Sequence, residues 1–124
     1  MIYLDTHAVI WLYDDTDKKF SDPVKDKMRN DDLFVSQMVR LEMQYLYEIG
    51  RIKTSPEVIL KSLRQSIGLV VAITESGIIF DAAIKIDWTR DVFDRLIVAQ
   101  AMADKAELIT KDSSILKHYN KAIW

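Results

Sequence analysis

The sequence predicts an α/β fold: a mainly parallel sheet covered by helices on both faces. Three observations carry that reading. Short runs, Ile2-Tyr3-Leu4, Leu33-Phe34-Val35, Leu69-Val70-Val71-Ala72-Ile73 and Leu108-Ile109-Thr110, are mostly apolar without alternation, as strands buried on both faces are. Longer stretches with helical start and stop signals separate them. No repeat, low-complexity segment or Pro/Gly/Ser-rich linker interrupts the pattern, so residues 1–124 are expected to form a single domain.

The elements follow in order. Ile2-Tyr3-Leu4 is a buried strand, succeeded at once by the apolar stretch Ala8 to Tyr13. Ser21-Asp22-Pro23 opens a charged helix through Arg29, with Pro23 in the first turn, where its missing N–H costs nothing. Lys18-Lys19 and Lys25, Lys27 and Arg29 read as a solvated face, offset by Asp15, Asp17, Asp22 and Asp26. After Leu33-Phe34-Val35, Ser36 is an N-cap for a helix from Gln37 to Ile49, and Gly50 stands where a C′ residue would. Ser55-Pro56 starts a helix to about Ile67. Beyond the strand at Leu69 to Ile73, Thr74 or Ser76 caps a helix through Ile86. Asp91 to Lys105 is a strongly apolar helix, and Ala122-Ile123-Trp124 a short edge strand.

Composition excludes much chemistry. At 124 residues the chain is long enough for one core. The absence of cysteine rules out disulfides, a thiol nucleophile and Cys-ligated metal centres, and two histidines, His7 and His118, cannot make a three-His zinc site. Three scattered glycines do not form a phosphate-cradling loop. Asp5 and His7 interrupt the apolar start and no basic segment precedes it, so no signal peptide is read; nothing approaches a membrane span. A cytoplasmic protein with no membrane partner is expected.

In a parallel sheet, ligands bind beyond the carboxyl ends of the strands. Asp5 closes the first strand and Asp112 follows the fourth by two residues, which places both on one rim. Glu42 sits between Leu41 and Met43 on the helix after the second strand. Asp91 and Asp94, three apart at a helix start, share a face. Four clustered carboxylates would repel one another unless a hard cation joined them, and Mg²⁺ and Mn²⁺ prefer oxygen ligands. Such a centre suits phosphodiester hydrolysis. Setting four carboxylates aside also turns the formal charge of −2 into +2 for the remainder, so a mildly acidic chain remains able to bind RNA. Each acid has a plainer role as well: Asp5 a turn residue, Asp91 an N-cap pairing with Arg95, Asp94 a first-turn residue facing the helix dipole, Asp112 a cap before Ser113, and Glu42 a solvated side chain.

Taken together the blocks resemble a known family. Ile2-Tyr3-Leu4-Asp5-Thr6-His7, then Ser36 with Glu42 and Gly50, then Arg90-Asp91-Val92-Phe93-Asp94-Arg95-Leu96-Ile97-Val98-Ala99-Gln100-Ala101, then Leu108-Ile109-Thr110-Lys111-Asp112 are similar, in that order, to the PIN domain, and specifically to the VapC-like toxins of type II toxin–antitoxin pairs. The resemblance implies a three-layer α/β/α sandwich with a mainly parallel central sheet. It implies a Mg²⁺-dependent, or Mn²⁺-dependent, endoribonuclease with Asp5, Glu42, Asp94 and Asp112 as the catalytic, metal-holding quartet and Asp91 as an accessory acid. Thr6 and Thr110 would orient carboxylates, and Arg95 and Lys111, beside two of the acids, would contact phosphate. A homodimer and a small cognate antitoxin are the implied partners beside the RNA substrate. Many relatives have proline where this chain has Val92, a change confined to the first helical turn.

Remaining residues have structural readings. His7 packs or caps beside the first strand; Trp11, Trp88 and Trp124 belong to the core or an interface. Met38, Met43, Tyr45, Leu46 and Tyr47 run around their helix as core plus interface. Two rivals stand beside the toxin: a non-catalytic PIN-like module binding RNA or protein, and a DNA-directed nuclease of related fold, which the small size disfavours.

Overall fold

The computed structural model describes residues 1–14 and 19–124; Asp15, Asp17 and Lys18 of the expected solvated face lie outside the described residues. Five strands form one sheet: β1 (Ile2–Leu4), β2 (Leu33–Val35), β3 (Val70–Val71), β4 (Glu107–Ile109) and β5 (Ala122–Ile123). Their order is β3-β2-β1-β4-β5, and every neighbouring pair is parallel, in registers such as Tyr3 with Phe34 and Leu4 with Ile109. Successive strand side chains point to opposite faces, yet Ile2, Tyr3 and Leu4 are all at most 2% exposed, so β1 is covered on both sides. That is the expected α/β/α sandwich.

The helices are α1 (Thr6–Tyr13), α2 (Asp22–Asn30), α3 (Gln37–Glu48), α4 (Pro56–Ile67), α5 (Ser76–Ile84), α6 (Val92–Ala103) and α7 (Ser113–His118). Local chemistry sets their ends. Ser21 and Ser36 accept from the backbone N–H of Val24 and Val39, and Gly68, at a φ of 72°, closes α4 in the left-handed conformation that glycine tolerates. In α6 every residue from Leu96 to Ala101 is buried, making it the central helix of the fold. Val92, the position where relatives carry proline, is the first residue of α6 and stays exposed. Among the described residues no helix is long and apolar enough to cross a membrane.

Several boundaries differ from expectation, among them that of α6, which ends at Ala103 rather than Lys105. The third strand is two residues long rather than five, because β2 ends at Val35. The N–H of Ala72 takes the Val35 carbonyl at 2.8 Å, no partner backbone remains beyond it, and Ile73 is 94% exposed. Neither Thr74 nor Ser76 caps α5. Glu75 does, accepting from the N–H groups of Gly77 and Ile78, while the Thr74 hydroxyl donates to Asp104 at 3.0 Å. The same helix stops at Ile84 instead of Ile86, where the Arg95 guanidinium takes the carbonyls of Ala83 and Ile86.

The one buried amide of α6, Gln100, donates to Tyr3, Thr74 and Asp104, and the Tyr3 hydroxyl also donates to Asp104. This network leaves no buried polar side-chain atom without a partner among the described residues.

Candidate active site

β1 and β4 lie side by side, but the chain leaves them in opposite directions across the sheet, β1 toward β2 and β3, β4 toward β5. A crevice opens at the carboxyl ends of such a pair. Here it is a cleft of about 470 Å³ lined by Asp5, His7, Trp11, Glu42, Asp91, Asp94, Lys111 and Asp112. All five acids singled out in the sequence line it.

Each acid arrives there for a local reason. Asp5 ends β1 and caps α1, accepting from the Thr6 N–H at 2.7 Å. Asp112 caps α7 through Ile115 N–H at 2.9 Å, and Asp91 caps α6 through Asp94 N–H at 2.9 Å. The capping roles and the cleft positions are therefore held by the same side chains. Glu42 is presented by the body of α3 and Asp94 by the first turn of α6, two helices that pack against each other.

Two threonines, both fully buried, tie the acids together. The Thr110 hydroxyl donates to Asp5 Oδ2 at 2.6 Å and accepts from the Asp112 N–H at 3.0 Å. The Thr6 hydroxyl donates to Glu42 Oε1, while its N–H serves Asp5. Asp5 therefore has both oxygens engaged, whereas the Asp94 carboxylate accepts no hydrogen bond and forms no ion pair among the described residues.

The electrostatics follow. Burial pushes the Asp94 carboxyl up to about 7, helped by the negative charges of Asp91, Asp5, Asp112 and Glu42. Burial raises Asp5 as well, opposed by the Thr110 and Thr6 hydrogen bonds, and raises Glu42, opposed by the Thr6 hydroxyl. No ion pair to lysine or arginine relieves the five acids among the described residues. An all-oxygen donor set of this kind suits a hard divalent cation. Among the described residues no three of these side chains converge closely enough to enclose an ion directly.

The two basic residues named with the acids part company. Lys111 lines the cleft, but Arg95 does not: α6 packs along α5, and the Arg95 guanidinium holds the end of α5 by donating to the carbonyls of Ala83 and Ile86. His7 and Trp11 are the cleft residues that the sequence reading assigned to packing. Both sit on α1, four apart and hence on one face, with ring centroids 5.8 Å apart. The signal was available in the position of α1, which starts directly at the strand end that carries Asp5. Trp124 packs edge-on against Trp11 at 5.4 Å, and Trp88 stacks on His118 at 4.8 Å.

Among solved structures, the chain is similar over its full length to a chain of the crystal structure of VapBC2 from Rickettsia felis bound to a DNA fragment from their promoter, with a TM-score of 0.70, 18% identity and 98% of that chain covered. It is likewise similar over its full length to a chain of a toxin–antitoxin complex from Klebsiella pneumoniae, with a TM-score of 0.66, 13% identity and 97% covered. Comparison with curated protein sequences gives no significant match. At such identities the likeness is one of fold, and it agrees with the parallel sheet and its switch-point cleft. The sequence itself matches the family model of the PIN domain over residues 2–121, from the start of β1 to the edge of β5, and the chain accordingly belongs to the PIN domain family.

Proposed function

We propose that this protein is a metal-dependent endoribonuclease that serves as the toxin of a type II toxin–antitoxin pair. The observation that carries the reading is the five-carboxylate cleft at the β1/β4 switch point, with Asp94 pushed up to about 7 by burial and by its acidic neighbours. Such repulsion is costly to maintain in a structure, and a divalent cation relieves it.

Asp5, Glu42, Asp94 and Asp112 would hold Mg²⁺ or Mn²⁺, with Asp91 assisting. Mg²⁺ usually keeps several waters and takes one or two carboxylates directly, which fits acids that surround the cleft without closing on one point. When bound, the cation supplies an activated water and neutralises charge developing on the leaving oxygen. Within the chain, Thr110 and Thr6 fix the orientation of Asp5 and Glu42, and Asp94 offers both oxygens. Hydrolysis would leave a 5′-phosphate and a 3′-hydroxyl. Lys111, which lines the cleft, would meet a phosphate.

Two further parts of the reading concern partners. That both similar structures are toxin–antitoxin complexes supports a cognate small antitoxin. Leu41, Tyr45, Ile78, Phe80, Ile84 and Val92, from 49% to 76% exposed on α3, α5 and α6, support a homodimer.

The test is incubation of partner-free protein with total cellular RNA under Mg²⁺, Mn²⁺ or EDTA, beside Asp94→Asn. Cleavage that needs the metal and falls at least 100-fold in the variant, with an unchanged circular dichroism spectrum, is the expected result. RNA binding without turnover under any metal would replace the nuclease by a binding module, and cleavage of DNA alone would reassign the substrate.

A further inference from the structure

The mouth of the cleft joins aromatic surface to positive charge. Lys111 is the only lysine or arginine among the described residues lining the cleft, and it adjoins Asp112 in sequence, yet it forms no ion pair with any of the five acids. Its ammonium stands instead over two indoles, 5.8 Å from the ring centroid of Trp11, which lines the cleft, and 5.6 Å from that of Trp124, which packs on Trp11. Lys19, exposed on the loop after α1, brings a second ammonium to 4.5 Å from the Trp11 ring. Behind Trp11, Phe20 and Trp124 fix the indole edge-on, at 6.4 and 5.4 Å. His7 adds a further exposed ring on the cleft side.

A phosphodiester strand approaching the five carboxylates is repelled by them and attracted by the ammonium groups at this rim. Single-stranded nucleic acid is commonly held by such a pairing, a cation for the backbone and an aromatic face for the base. We infer that Trp11 is a stacking platform for a nucleobase next to the scissile phosphate of a single-stranded RNA, with Lys111 and Lys19 neutralising the adjoining backbone. The inference rests on the nuclease reading above and adds a positioning role for a residue of α1 that the chemistry itself does not need. Stacking is tolerant of base identity, so the platform would set where the strand lies rather than which letter it carries.

The probe is a short, fluorescently labelled single-stranded oligoribonucleotide from a region the protein cleaves, with a series in which one nucleotide at a time is abasic. Binding is followed by anisotropy with Mg²⁺ in the cleavage-impaired Asp94→Asn protein, and KM and kcat are followed in the wild type. One abasic position is expected to weaken binding about 10-fold. Adding Trp11→Leu should weaken the intact strand by a similar factor and abolish the extra penalty at that position. In otherwise wild-type protein the same change should raise KM with little change in kcat. Trp11→Phe, which keeps an aromatic ring in the Phe20/Trp124 contact, should retain part of the penalty and serves if the leucine variant fails to fold. Lys111→Gln should weaken every oligonucleotide alike and lower the salt slope by about one. An abasic profile indifferent to Trp11→Leu and Trp11→Phe, in a protein that still cleaves RNA, overturns the platform alone. Wild-type protein that neither binds nor cleaves RNA overturns the nuclease reading and the platform with it.

Discussion

Asp94 stands apart from the other acids because no donor restrains it. Its folded value of about 7 lies well above the ordinary 3.8, so between those pH values the folded state holds a proton that the unfolded chain has released. The stability linked to this group is therefore full below about pH 4 and is lost as the pH rises through 7. In metal-free protein at pH 8, Asp94→Asn should raise Tm by a few degrees, about 1 kcal/mol after allowing for solvent screening, and should change little at pH 4. A melting curve at each pH checks both halves. Asp5 offers no such clean exchange. Its Oδ1 accepts from the Thr6 N–H and its Oδ2 from the Thr110 hydroxyl, so an amide nitrogen at the first position sets donor against donor and at the second forces the hydroxyl to turn away from its present bond. Asp5→Asn is expected to lose both activity and Tm, the second by about 1–3 kcal/mol.

At the level of elements, Arg95 has a structural duty that its place beside Asp94 concealed. Arg95→Met should cost about 1–3 kcal/mol in urea unfolding, because Ala83 and Ile86 are nearly buried and their carbonyls would lose a charged donor, while kcat for RNA cleavage stays within about threefold. Much of the element pattern was legible because it rests on neighbours in sequence: Ser21 and Ser36 announce helices through their own hydroxyls, and Asp91 does so through its carboxylate. What was not legible depends on distant backbone. The length of β3 is decided by where β2 stops, and the cap of α5 by Asp104 claiming the Thr74 hydroxyl. α1 showed no phase, since its residues from Ala8 to Tyr13 are apolar on every side, and without a phase Trp11 could not be assigned to the cleft.

Across the whole molecule, one sheet with a single reversal of strand order brings together acids that are up to 107 positions apart in the chain, Asp5 and Asp112 at the extremes. The four blocks could be read in the sequence because each follows a strand or opens a helix; their mutual distances could not, being set by packing of α3 on α6 and β1 on β4. Because protons and cation compete for the same oxygens, millimolar Mg²⁺ should raise Tm more at pH 8 than at pH 6, a difference that calorimetry at the two pH values would show and that Asp94→Asn should shrink. The shared use of Asp5, Asp91 and Asp112, each both a helix cap and a wall of the cleft, reaches further still. On the toxin reading proposed above, alanine at any of the three, in a population selected for survival, would loosen a helix as it disarmed the cleft, and would send the damaged chain to proteases. Asparagine at Asp112 or Asp91 keeps an oxygen for the cap and, on the same reading, would yield a folded copy of lowered activity still able to occupy an antitoxin. Escape by truncation and escape by amidation would thus leave cells with different amounts of unoccupied partner, although both begin from the loss of one negative charge.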